Sequence, residues 1–189
     1  MKDFYRSNIN LRRQNLSEEN LTEFGREIRD ILYEDSPKDF KRLLSDSKTI
    51  ALYSDVRGEL KTGFIAERLL SMGKTICYPR VEGDSISFYS VKDPDKDLKK
   101  GAFGIAEPDE SCILADPSSI DMIILPAVAY NDEGVRLGMG GGYYDRFCSS
   151  CNAVTVGICY DFQINSSIPV EDHDLCVDYL FVVETEDEL

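Results

Sequence analysis

In the stretch RLGMGGGYYDRF, Arg136 to Phe147, a cation, a glycine hoop and a carboxylate follow one another closely. Gly138, Gly140, Gly141 and Gly142 are interrupted only by Met139, and Tyr143, Tyr144 and Asp145 come next. Glycines let a ligand approach backbone N–H groups that a side chain would shield. Successive N–H groups ahead of a helix start form an anion nest. Arg136 would add fixed positive charge, and Asp145 could hold a divalent metal that bridges phosphate oxygens. These residue types in this order point to phosphate binding, and a plain glycine-rich turn is the alternative. The hoop is not a G-x-x-x-x-G-K-[ST] loop, because no Gly-Lys occurs in it. The chain's Gly73-Lys74-Thr75 has Arg68 where the first glycine belongs, and it lies between a helix and a strand in the wrong order. Nor is it G-x-G-x-x-G, since Tyr143 replaces the last glycine.

Other residues could join this chemistry. Lys2, Arg6 and Arg13 recur at near-helical spacing, either as a solvated face or as a basic helix turned toward an anion. Glu59 and Thr62 open the helix expected after the first strand; a carboxylate there could also accept N–H groups of a ligand. Cys148-Ser-Ser-Cys151 has CxxC spacing, but no second cysteine pair or histidine cluster completes a zinc site, so it reads as structural. His173 is the sole histidine and no G-x-S-x-G accompanies it, which leaves little for a histidine-dependent triad. His173-Asp174 reads as a loop before the last strand, and Asp174 could join Asp145 at a metal.

The elements that must position these groups alternate in period. From Ser17, a suitable N-cap, SEENLTEFGREIRDILYED puts Leu21, Phe24, Ile28 and Ile31 or Leu32 near one helix face. Pro37 opens a further helix toward Leu44. TIALYS suits a buried strand. ELKTGFIAERLLSMGK is a helix with Phe64, Ile65, Leu69 and Leu70 inward, ended by Gly73. TICYP is a strand stopped by Pro79, SISFYSV alternates as a strand does, and apolar strands follow in SIDMIILPAVAY, AVTVGICY and DYLFVV. This order predicts an α/β sheet covered on both faces, with ligands beyond the carboxyl ends of its strands. The hoop follows the IILP strand and precedes a short helix, YYDRFCSS, which marks it as a site.

The 189 residues suffice for one domain with a sizeable core. A net charge of −14 argues against nucleic acid or an anionic membrane as partner, though not against one local basic pocket. No apolar run approaches a membrane span, and the start lacks the apolar core of a signal peptide, so a cytoplasmic protein with reduced cysteines is expected.

Across nearly its whole length the chain resembles the 5-formyltetrahydrofolate cyclo-ligase (5,10-methenyltetrahydrofolate synthetase) family. The resemblance runs from KDFYRSNINLRRQNLS through ELKT, GKTICYPRV, ISFYSV and GAFGIAEP to LPAVAYNDEGVRLGMGGGYYDRF and HDLCVD. It implies one domain over residues 1–189, a three-layer α/β fold with a mostly parallel sheet and helices on both faces, of the NagB/RpiA/CoA transferase-like kind. It implies conversion of ATP and 5-formyltetrahydrofolate to 5,10-methenyltetrahydrofolate, ADP and phosphate with Mg2+, by a monomer. Lys2 and Arg6 would then contact ATP phosphates, together with Arg136, Leu137, Gly138, Met139, Gly140, Gly141, Gly142, Tyr143 and Tyr144. Ser54, Glu59, Met139, Gly140, Gly141, Gly142 and Tyr143 would line the folate side, with Glu59 on the pterin. Arg136 and Tyr143 would be catalytic, and Asp145 and Asp174 would hold the metal. Many family members carry arginine where this chain has Met139. That departure leaves room for a non-catalytic folate- or nucleotide-binding relative. A sugar-phosphate isomerase on a related scaffold is the other alternative, and it would leave the basic N-terminal helix without work.

Overall fold

The computed structural model describes residues 2–101, 104–171 and 174–185. Helix α1 (Lys2–Gln14) leads into α2 (Glu18–Asp30), whose start is fixed by a reciprocal cap: Ser17 Oγ accepts the Asn20 N–H while Asn20 accepts the Ser17 N–H. Leu21 and Ile28 bury the expected face of α2. The chain then widens into a π-turn, Ile31–Asp35, before α3 (Lys38–Asp46) starts directly after Pro37.

Among the described residues, seven strands form the central sheet. In spatial order they are β11 (Tyr179–Val183), β10 (Val154–Tyr160), β7 (Met122–Leu125), β1 (Thr49–Ala51), β2 (Thr75–Glu82), β3 (Ser85–Val91) and β6 (Ile113–Leu114). From β11 to β2 every pairing is parallel, whereas β3 and then β6 turn antiparallel at the edge. Strand alternation sorts the core into two layers. Ile50, Ile76, Met122, Ile124, Val156 and Val183 meet α2, α3 and α4 (Gly63–Ser71). Ala51, Cys77, Ile123, Leu125 and Cys159 face the opposite side. That side is covered by α6 (Tyr143–Cys148) together with a hairpin of β8 (Ala129–Tyr130) and β9 (Arg136–Leu137), which stands between β7 and the glycine hoop. Helix α5 (Pro94–Asp97) and the pair β4 (Leu98–Lys100) and β5 (Ala106–Pro108) complete the edge.

Two boundaries differ from the sequence reading. Strand β2 does not stop at Pro79 but continues to Glu82. Its pairing with β1 ends at Cys77, while Pro79 still faces Phe88 on β3, so the missing N–H falls where that flank of the strand has already lost its ladder partner. The helix placed over ELKT begins only at Gly63. Asp55 draws the Thr62 N–H back at 3.0 Å and the Val56 N–H holds Glu59 at 3.1 Å, so residues 55–62 form a tight loop instead. Gly73 does end α4, with φ +74. His173, and Ala102 and Phe103 of GAFGIAEP, lie outside the described residues.

Candidate functional site

A cavity of about 990 Å3 opens beyond the carboxyl ends of β1, β2 and β7. Every site residue expected from the sequence lines it: Lys2 and Arg6 on α1, Ser54 and Glu59 after β1, Arg136 and Leu137 on β9, Gly138 to Gly142, Tyr143 to Asp145 on α6, and Asp174. This is where ligands sit in open parallel sheets, because the strand ends leave a crevice that loops can line.

Helix α1 is held across this mouth by an apolar seam, in which Ile9 packs on Val128, Ala129, Leu137 and Ile168. Its basic stripe thereby faces the cavity. Arg6 donates from Nε to the Gly138 carbonyl at 3.0 Å and pairs with Asp3 at 2.7 Å. Lys2 pairs with Asp174 at 2.9 Å and with Glu171 at 3.3 Å. Partial burial lowers the Lys2 pKa, but hydrogen bonds and charge from Asp174 and Glu171 outweigh it and the net shift is upward.

The hoop needs its glycines in different ways. Gly140 has φ +98, and a Cβ there would lie 3.4 Å from Arg6 Nη2. Gly142 has φ +66 and caps α6, and a Cβ would come within 2.5 Å of Arg146 Nη1. Among the described residues, the N–H groups of Met139, Gly140 and Gly141 meet no carbonyl. Met139 is exposed on the cavity wall. The start of α6 is braced against the β2–β3 turn, where Arg146 donates to the Asp84 carbonyl at 2.6 Å and Tyr143 Oη to the Gly83 carbonyl at 3.5 Å.

Arg136 lines the cavity but is buried in its wall. Its Nη1 donates to the Pro126 carbonyl at 2.9 Å, and its Nη2 donates to both Asp145 oxygens at 2.8 Å. Expected as fixed positive charge for phosphate, it also orients the carboxylate on α6. Ser54 Oγ donates to the Ala106 carbonyl, which ties the loop after β1 to β5.

Glu59 lies in the tight loop that replaces the expected helix start. Burial pushes its carboxyl up to about 7, against the pull of Arg13 and the Val56 N–H. Asp55, on the same loop, is also raised by burial. Arg57 adopts φ +51, a strained conformation for a non-glycine residue, and lines the cavity. Arg13, Asn10, Arg57 and Arg146 also line it and were not among the expected contacts. The stripe of Lys2, Arg6 and Arg13 carried the signal for Arg13, and Asn10 continues it.

Among the described residues no three acidic, histidine or cysteine side chains gather into a metal cluster. The acidic donors expected to hold Mg2+, Asp145 and Asp174, both line the cavity as hard oxygen ligands, each paired with a cation of the protein. That donor set suits a cation that takes one or two carboxylates and completes its shell with phosphate and water oxygens. Cys148 and Cys151 are free thiols at the end of α6. Burial pushes Cys148 up to about 12, so it behaves as a packing residue. No helix is long and apolar enough to cross a membrane among the described residues.

The sequence model of the 5-formyltetrahydrofolate cyclo-ligase family matches residues 2–183. A 5-formyltetrahydrofolate cyclo-ligase of Escherichia coli (strain K12) is 32% identical over 133 residues, covering 67% of this chain and 73% of that protein. The solved 5,10-methenyltetrahydrofolate synthetase of Aquifex aeolicus is 36% identical and superimposes with a TM-score of 0.80, covering 96% of this chain and 89% of that one. That of Mycoplasma pneumoniae is 27% identical with a TM-score of 0.74, covering 95% and 96%.

Proposed function

From the premise that this chain belongs to the 5-formyltetrahydrofolate cyclo-ligase family, we propose that it converts 5-formyltetrahydrofolate and ATP to 5,10-methenyltetrahydrofolate, ADP and phosphate. The observation that carries this reading is the joining, in one cavity, of a basic helix, a glycine hoop with open N–H groups and a buried carboxylate.

A formamide oxygen is a poor leaving group. In this reading it attacks the γ-phosphorus of ATP, the bond to the β–γ bridging oxygen breaks, and ADP departs. The N10 amine then attacks the activated carbon and loses its proton, and phosphate leaves with the former formyl oxygen as the ring closes. The protein's contribution is alignment and charge neutralisation. Lys2 and Arg6 meet the ATP phosphates from α1. The hoop N–H groups of Met139, Gly140 and Gly141 take the γ-phosphate, with Leu137, Gly138, Gly142 and Tyr144 forming the rest of that wall. Arg136 holds Asp145 in place and adds charge behind it. Glu59 accepts N–H groups of the reduced pterin, Ser54 and Met139 flank it, and Tyr143 closes over the meeting point. Asp145 and Asp174 are the residues that would hold Mg2+, which neutralises phosphate charge when bound. The chain acts as a monomer in the cytoplasm.

The test is a spectrophotometric assay on the purified protein with 5-formyltetrahydrofolate and magnesium. Methenyltetrahydrofolate absorbance should appear only on adding ATP. A flat trace from folded protein that binds folate would replace this reading with a non-catalytic binder.

A further inference from the structure

Helix α1 and the loop after β1 meet at a buried contact to which the reading above assigns no role. Arg13, only 4% exposed, aims Nη1 at Glu59 Oε1 across 3.5 Å and donates from Nη2 to the Ala127 carbonyl. Arg136 does the same from the other side, one residue earlier. It binds the Pro126 carbonyl and holds Asp145. Gln163 braces this stretch, donating to the Ala127 carbonyl at 3.1 Å and to the Val128 carbonyl at 2.8 Å. Two adjacent carbonyls at the end of β7 therefore anchor two guanidinium groups. One holds the carboxylate after β1, the other the carboxylate of α6.

The loop is shaped to reach Arg13. Gly58 has φ +75, and a Cβ there would fall 2.5 Å from the Arg13 carbonyl oxygen. Tyr160 Oη pins the Gly58 carbonyl at 3.2 Å. Packing alone does not account for an arginine here. Its Nε is buried with no partner, a cost that an apolar side chain of similar length would avoid. The fork geometry does account for it, since one planar group can grip a carbonyl and steer a carboxylate at once.

We propose that Arg13 is a positioning residue that acts through Glu59, fixing the folate-reading carboxylate in register with the phosphate hoop so that the formyl oxygen meets the γ-phosphate. The inference rests on Glu59 as the folate carboxylate. Its consequence is a division of labour along one helix: Lys2 and Arg6 serve the nucleotide, while Arg13 serves the folate from the same stripe.

The test is two-substrate kinetics on Arg13→Met, Arg13→Lys, Glu59→Gln and the double variant Arg13→Met/Glu59→Gln. Arg13→Met should lower kcat/KM for 5-formyltetrahydrofolate by at least about tenfold, because small misalignments cost rate steeply. The KM for ATP should stay at the wild-type value, which a general loosening of α1 would not allow. Arg13→Lys should recover part of the loss. The double variant should be no worse than Glu59→Gln, since residues acting as one unit are not additive. Losses that multiply in the double variant, or a matching rise in the KM for ATP, would overturn the proposal. If Arg13→Met does not fold, Arg13→Lys decides: a folate-specific loss supports the proposal, and wild-type kinetics refutes it. A wild-type protein that forms no product fails the functional reading first, before any variant is compared.

Discussion

Replacing Gly140 with valine separates the hoop's part in catalysis from its part in folding. Gly140 sits at φ +98, where an L side chain costs about 1–2 kcal/mol. Gly73 provides a matched control at φ +74 with nothing within 4 Å of a built Cβ. For a chain of this size each kcal/mol lowers the Tm by about 2–4 °C, so both valine variants should melt about 2–8 °C below wild type. Their activities should part. A Cβ at Gly140 lies 3.4 Å from Arg6 Nη2 and 3.5 Å from Cζ, and the two γ-methyl groups reach beyond it. They would displace the guanidinium from the Gly138 carbonyl and tilt the hoop N–H groups away from phosphate. Losing one pre-aimed donor to a transferring group costs about 100- to 1,000-fold in rate, so kcat/KM for ATP should fall by at least about 100-fold. Gly73→Val should keep wild-type kinetics. The assay is ATP-dependent methenyltetrahydrofolate formation, with melting followed by circular dichroism on the same samples. A folded Gly140→Val protein with unchanged kcat/KM for ATP would refute the phosphate cradle.

Other outcomes follow from the same geometry. Burial holds the Glu59 carboxyl at about 7 and only the ionised form offers both oxygens as acceptors to pterin N–H groups, so kcat/KM for the folate should climb as pH rises through about 7; a pH profile of Glu59→Gln should lack that limb. Asp145→Asn strips the counter-charge from a guanidinium that is 4% exposed, and because Asp145 itself is half-buried the loss in urea unfolding should be about 2–3 kcal/mol, between the surface and fully buried cases. Gly157→Ala places a Cβ 2.8 Å from the Tyr130 ring and from Leu180 Cδ1, and equilibrium unfolding should show a loss of about 1–3 kcal/mol from overpacking. Chelating magnesium with EDTA should stop turnover while leaving the circular dichroism spectrum unchanged, and added magnesium should restore it.

Much of this was legible in the chain because it is local. A cap is written within a few residues, so Ser17 and Gly73 marked helix ends where the structure has them. A buried strand needs a short apolar run, so MIIL, VTVGICY and YLFVV stood out. The hoop was readable for the same reason, since glycine density is a statement about the backbone at those positions. The resemblance to a family then attached chemistry to residues whose types already suggested it.

Tertiary structure decided what depends on partners distant in sequence. Nothing within TICYPRVE shows that β1 has ended beside Pro79 and lets the strand continue. Nothing within ELKT shows that Asp55 takes the Thr62 N–H and that Glu59 turns back to the Val56 N–H and toward Arg13, which leaves a tight loop in place of a helix start. Arg136 reads as positive charge for a phosphate, and only the fold shows that the Pro126 carbonyl and Asp145 also take its guanidinium. Local propensity sets which elements form and where a hoop can bend. Which charge is spent inside the protein and which is left for a ligand is a through-space balance of burial and pairing, fixed only when α1, the loop after β1 and α6 close on the strand ends together.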